Sequence, residues 1–299
     1  MSGHHYGRAV LAVAVAAFLF GTGGVARALN GFIGTAEQVA AWRVVTGGAL
    51  MLAVAAARGH AHRIAALWRS PLVWLMGASS LLYQVTFFAG AERIGVGAGT
   101  LIAQAVAPVA AGLLTWAVGK GRPTLVWLAC TVTAIAGMAL ITGTGGAYDT
   151  TSVLLVGSSG ALYSLNVVAG AHIVMSQRGA VSGIDVLTAA FGIGATISLP
   201  LAAQGLQWVI TPAGLATVAW MGVMATAVGY LLFGYGITHL PAPTVSTLAV
   251  SEPVWATLIG VTLLGEVVTL RGWVGCAVIV SSLAAMAWAQ SRTPRAVGS

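Results

Sequence analysis

The sequence predicts an all-α integral membrane protein of ten transmembrane helices, arranged as two inverted five-helix repeats with both termini cytoplasmic. Three observations predict it. The 299 residues are 58% hydrophobic and only 6% charged, whereas soluble domains carry about 25% charged residues. Ten apolar runs each approach the roughly 20 residues that cross the hydrocarbon of a bilayer. Finally, the chain repeats itself. A shift of 145 residues aligns Ala16 with Ala161, Gly34 with Gly179, Gly47 with Gly192, Met76-Gly77 with Met221-Gly222, Phe88 with Phe233 and Pro108 with Pro253, with no gap needed. The repeats are residues 1–148 and 149–299, the second ending in a short basic tail. An odd number of spans per repeat turns the second copy upside down relative to the first.

The ten runs cover 9–28, 36–57, 70–91, 97–118, 123–144, 152–174, 184–204, 213–236, 242–264 and 270–290. Pro71, Pro123, Pro212 and Pro241 stand at or near the start of their runs, where a missing N–H costs nothing. Arg8 ahead of the first run, and Ala26-Arg27-Ala28 after it, imitate a signal peptide. The later partner of this run in the repeat argues that it is a structural helix instead. The connections are short and leave no room for a soluble domain.

Orientation follows from charge. With a cytoplasmic N-terminus, the inner ends hold Arg8, Arg58, Arg63, Arg69, Lys120, Arg122, Arg178, Arg292 and Arg295, and the outer ends only Arg27, Arg93 and Arg271. That bias satisfies the positive-inside rule. Glu37, Glu92, Asp149 and Glu266 fall outside, where acids weigh little. The formal charge of +7 comes from Lys and Arg placed singly between apolar runs, not from the basic patch a nucleic-acid partner requires. Cys130 and Cys276 lie inside apolar runs as packing residues. His4, His5, His60 and His62 lie on the inner side, where solvation is the simpler role.

Ser251-Glu252-Pro253 stands out within an otherwise uncharged run. An ionised side chain at bilayer depth costs at least about 2.5 to 3.5 kcal/mol and needs a partner, a proton or a wet cavity. A proline there is tolerated where neighbouring groups satisfy the freed carbonyl. Pro253, and Pro108 in the fourth run, are expected to kink their helices. Glu252 is read as the one acid deep in a helix and Arg43 as the one base. On an ideal helix Glu252 sits near the midplane and Arg43 about 5 Å to its outer side. The two could form a fixed buried ion pair, clamp the carboxylate and ammonium of a zwitterion, or couple transport to protons through Glu252.

Other polar groups form helical stripes: Ser80, Tyr83, Gln84 and Phe87; Thr100, Gln104 and Pro108; Ser159, Tyr163 and Asn166; Thr226 and Tyr230; Ser251 and Trp255. Amides are costly against lipid, so Gln84, Gln104 and Asn166 should point inward, to bond a neighbouring helix or to line a cavity. The expected cavity-lining set is Arg43, Tyr83, Gln84, Phe87, Gln104, Tyr163, Asn166, Tyr230, Ser251, Glu252 and Trp255, and aromatics beside amides suit a partly polar solute. No catalytic group, metal or cofactor is expected. The helices offer a lone acid without nucleophile or metal cluster, and the turn holding Gly143, Gly145 and Gly146 lacks the Lys-Ser or Lys-Thr of a phosphate loop.

Thr247-Leu248-Ala249-Val250-Ser251-Glu252-Pro253-Val254-Trp255-Ala256, followed by Leu263-Leu264-Gly265-Glu266 before the last run, resembles the EamA-type members of the drug/metabolite transporter superfamily. The first half looks like the same module in Ala107-Pro108 and Gly119-Lys120, with Ala107 in place of the usual Glu. Arg43 matches a position where the family commonly has Arg. The resemblance implies a secondary-active transporter of the bacterial inner (cytoplasmic) membrane, exporting small metabolites by alternating access. Within the superfamily the chain looks most like amino-acid exporters, including an aromatic amino-acid exporter, with a drug or nucleotide-sugar transporter, or a channel-like facilitator, as the alternative. A monomer suffices for this, with solute and lipid as its partners.

Overall fold

The computed structural model describes residues 3–31, 33–117, 125–142, 149–177, 180–239, 248–249 and 251–292, and every regular element among them is helical. In chain order these are α1 (Gly3–Leu29), α2 (Ala36–Ala57), α3 (Ala61–Leu67), α4 (Pro71–Ile94), α5 (Val96–Ala117), α6 (Leu125–Thr142), α7 (Thr150–Ser176), α8 (Gly183–Gln204), α9 (Leu206–Val209), α10 (Pro212–Val218), a π-helical segment (Ala219–Val228), α11 (Gly229–His239), α12 (Ser251–Leu264) and α13 (Leu270–Arg292). Seven of the described stretches are long and apolar enough to cross a membrane, and three shorter apolar helices accompany them.

Local chemistry sets several boundaries. Thr35 accepts from the Gln38 N–H and Gln38 returns a bond to the Thr35 N–H, a capping box that starts α2; Ser182 and Asp185 do the same for α8. Pro71 and Pro212 occupy the first turns of α4 and α10. Gly95, at φ 89°, ends α4 in a conformation that penalises a Cβ. The short α3 was not expected. It packs on α8 through buried Ile64 and Leu67, and the neighbouring Trp68 donates to the Ala189 carbonyl at 3.0 Å. Most of the run expected over 242–264 before Ser251 lies outside the described residues.

Glycines and hydroxyls bring the helices close, and the contacts give their relative directions. In α2 and α8, Gln38 meets Gln204, Val44 meets Gly194 and Gly48 meets Phe191, so the two run antiparallel. The same descending order joins α4 to α7, where Gly90 lies on Ser152 and Val156, Ser79 donates to the Leu162 carbonyl, and Met76 meets Gly170. It also joins α6 to α13, where Gly137 meets Gly275 and Cys130 meets Ser282. In α5 and α12, Gly97 lies on Thr257 and Gln104 on Glu252, again antiparallel. By contrast α5 and α7 run parallel: Ala103 meets Gly160 and Ala107 meets Ser164.

The packing keeps the same form when first-half helices are exchanged for their second-half mates. α4 packs on α7 as α11 packs on α1, α5 on α7 as α12 on α1, and α4 on α8 as the π-helical segment on α2. The structural register corrects the gapless shift. The capping boxes of α2 and α8 begin at Thr35 and Ser182, 182 − 35 = 147 residues apart. Gly47 lies on the Gly222 carbonyl and Gly194 on the Gly77 carbonyl. The structural mate of Gly47 is therefore Gly194 and not Gly192, while Gly77 and Gly222 keep the spacing of 145. Two residues of difference are absorbed between the second and third spans.

Candidate functional site

A cavity of about 100 Å³ lies at the centre of the bundle, walled by α1, α2, α4, α5, α7, α11 and α12. Arg43, Tyr83, Phe87, Gln104, Tyr163, Tyr230 and Glu252 all line it. α1 adds Phe20, Gly21 and Gly24, and the helical stripes add Thr100 and Ser159. Gly21 explains how α1 comes so near α12, since a Cβ there would stand 3.0 Å from the Glu252 carbonyl. The aromatic wall is built from pairs: Tyr83 and Tyr163 meet edge to face at 6.0 Å, and Tyr230 packs between Phe20 and Phe191, each at 5.0 Å.

The two charges in this wall are not paired with each other. No ion pair within 4.0 Å joins Arg43 and Glu252 among the described residues. Instead Arg43 donates from Nε to Thr226 Oγ1 at 2.9 Å, and its guanidinium carbon lies 5.9 Å from the centre of the Phe88 ring. Glu252 Oε2 accepts from Gln104 Nε2 at 3.1 Å. Each charge leans on a neutral dipole, and both residues line the cavity. Such a site can take a solute bearing a carboxylate and an ammonium, with apolar surface between them against the rings.

Four other expected positions stand apart from the cavity. Gln84 is 1% exposed and donates to the Ser80 carbonyl at 3.0 Å. Asn166 donates to Ser79 Oγ at 3.0 Å and stitches α7 to α4. Both amides are buried, Gln84 bonded within its own helix and Asn166 across the seam between α7 and α4. Ser251 Oγ turns back to the Leu248 carbonyl at 2.6 Å. Trp255 is 39% exposed, with its ring edge-on to Phe18 at the bundle surface. Pro108 lies within α5 and Pro253 within α12.

The structure also buries charges that sequence reasoning placed at the surface or passed over. Arg27, read as an outer-end charge, is 2% exposed; it pairs with Glu92 at 2.9 Å and donates to the Phe88 carbonyl. Asp185 is 1% exposed and takes the Ser182 N–H and hydroxyl on one oxygen and His60 Nδ1 on the other at 2.9 Å. His60 thus docks the start of α3 onto α8, a role beyond simple solvation. Glu266, the acid of the Gly-Glu pair, accepts from the N–H groups of Val96 and Gly97 at 2.7 and 3.2 Å and so caps α5 from the opposite half of the chain. The polar Ser-Xaa-Xaa-Asp spacing at Ser182 was the available signal for Asp185; nothing local in the sequence marks Glu266 as a cap.

Comparison with known proteins agrees with this architecture. A transporter of uncharacterised function from Bacillus subtilis, YwfM, is 34% identical over 286 residues, covering 95% of this chain and 94% of its own. A probable terminal-alkyne amino-acid exporter from Streptantibioticus cattleyicolor is 28% identical over 66% of each chain. The threonine/homoserine exporter RhtA of Salmonella typhimurium is 30% identical over 45% of each. One crystal structure superposes with a TM-score of 0.63 over 95% of this chain and 98% of the other at 18% identity, a similarity of fold. The model of the EamA-like transporter family matches twice, over residues 7–143 and 153–288, and the chain, a membrane transporter built from two such repeats, belongs to that family of the drug/metabolite transporter superfamily.

Proposed function

We propose that this chain exports amino acids across the bacterial cytoplasmic membrane by alternating access, holding the solute between Arg43 and Glu252. The observation that carries the reading is that these two opposite charges wall one small aromatic cavity without pairing to each other. A guanidinium offers a carboxylate two parallel N–H bonds, and a carboxylate meets an ammonium with charge-assisted bonds of about twice ordinary strength. Amino acids carry both groups on one carbon. The outward direction is suggested by the relatives whose names describe amino-acid export.

The mechanism needs the two halves to be inverted copies, residues 1–148 and 149–299, with both termini cytoplasmic. The antiparallel courses of the mates α2 and α8, α5 and α12, and α6 and α13 support that reading, as does the excess of basic residues at the expected inner ends. An inverted pair can open its shared cavity first to one face and then to the other by rocking one half against its mate. One chain encloses the cavity, so a monomer is sufficient.

The cavity, at about 100 Å³, is smaller than the roughly 300 Å³ at which ordinary ligand pockets begin. Small amino acids therefore head the panel, and aromatic ones test whether the cavity widens. Purified protein in liposomes, loaded with unlabelled amino acid, should take up the labelled one by saturable counterflow. Absence of counterflow across the whole amino-acid panel, in liposomes where the protein is folded, overturns the proposal.

A further inference from the structure

Arg43 is held on several sides by groups that do not themselves line the cavity. Thr226 is 1% exposed. Its hydroxyl proton goes to the Met221 carbonyl, five residues back, at 2.8 Å, a partner that matches the five-residue spacing of the π-helical segment it occupies. With its proton committed to the backbone, Oγ1 presents a lone pair to Arg43 Nε at 2.9 Å. The guanidinium rests against Phe88, and a Cβ on Gly23 would stand 3.1 Å from Nη1. Gly47 gives the approach its room, since a Cβ there would stand 2.6 Å from Thr226 Cγ2.

A guanidinium can take a carboxylate through Nε and one Nη, or through both Nη groups. Thr226 occupies Nε, so the first edge is closed and the end-on pair remains. We propose that Thr226 is a positioning residue that fixes this end-on presentation of Arg43 and thereby sets affinity for the carboxylate of the transported solute. The inference rests on the reading of Arg43 as the carboxylate site. It places the control of that affinity on a residue that touches Arg43 and not the solute.

The test is counterflow of glycine and alanine in liposomes, with glycinamide, which lacks the carboxylate, as a competing probe. T226V keeps the side-chain shape but removes the acceptor. It should raise KM for the amino acids about tenfold, in line with a hydrogen bond to a charged group, while maximal rate and inhibition by glycinamide stay near wild type. T226S restores the acceptor and should return KM to near the wild-type value. An unchanged KM in T226V overturns the inference, and so does an equal loss for amino acid and amide, which is what a merely structural role would produce. Should T226V fail to yield a folded monodisperse protein, G23A presses on Nη1 from the other side and must raise KM selectively for the carboxylate solutes; a wild-type KM there overturns the inference equally. If the wild-type protein moves none of the amino acids, the proposed function fails first and this inference with it, whereas normal wild-type counterflow with an indifferent T226V sinks this inference alone.

Discussion

Glu252 and Arg43 show how a charge is kept inside a membrane protein without being neutralised by a fixed counter-charge. Stripping an ion of water costs several kcal/mol, and here Gln104 and Thr226 each return one hydrogen bond. One hydrogen bond each is too little to compensate the desolvation alone, and under the proposed function the ammonium and carboxylate of the solute supply the remainder. Glu252→Gln keeps the size of the side chain while removing the charge that would meet an ammonium. Its KM for amino acids in counterflow should rise at least about tenfold, the loss of one charge-assisted bond; wild-type KM and pH dependence would end the role given to Glu252. Gln104→Leu leaves the carboxylate in place but unsupported, and a smaller rise in KM is expected in the same assay.

At the scale of elements, close helix approach depends on glycines that lie against backbone, and substitution should follow the geometry. A Cβ on Gly160 would overlap the Ala103 carbonyl, and Gly160 sits in the cavity wall where α5 meets α7. Gly160→Ala should lower stability by about 1 to 3 kcal/mol, the usual cost of overpacking. Gly183, with nothing within 4 Å of its Cβ position, should accept Ala with no loss. Thermal unfolding of both variants in detergent checks the contrast. The start of α7 supplies a pH test. Asp149 caps it, and the Ser152 hydroxyl and N–H hold its carboxyl below the usual aspartate range. A depressed carboxylate contributes stability above its unfolded pKa of about 3.9, and the contribution disappears as pH falls through the lower folded value. Asp149→Ala should therefore unfold earlier than wild type at pH 7, and the gap should close in strongly acidic buffer. Elements such as α2 and α8 were legible because an apolar run of spanning length is a local signal. The π-helical segment was not, since Thr226 there is held by Arg43 from another helix and by Gly47 beside it, contacts that no local window contains. Trp255 misled for a related reason: a large aromatic in an apolar run fits the interior and the lipid-facing surface equally well.

For the molecule as a whole, the repeat could be read from identities scattered along the two halves, but its register could not. Matches at Met76-Gly77 and Pro108 hold at a shift of 145, and the glycine-rich second span allows Gly47 to match Gly192 by coincidence, which hid the two-residue difference seen in the contacts of Gly194. The corrected register yields a sharp test of inversion. Ala57 and Gln204 are the last residues of α2 and α8, 204 − 57 = 147 apart, and both are exposed. In a parallel duplication, structurally equivalent ends emerge on the same face of the membrane; in an inverted one they emerge on opposite faces. With the N-terminus cytoplasmic, Gln204→Cys should react with a membrane-impermeant maleimide on intact cells, and Ala57→Cys only after permeabilisation. Cys130 is buried and Cys276 half-buried, so the unsubstituted chain serves as the background. Labelling of both positions from one side would contradict the inversion and with it alternating access by exchange of the two halves, because mates that share a direction cannot present the same cavity to the two faces in turn.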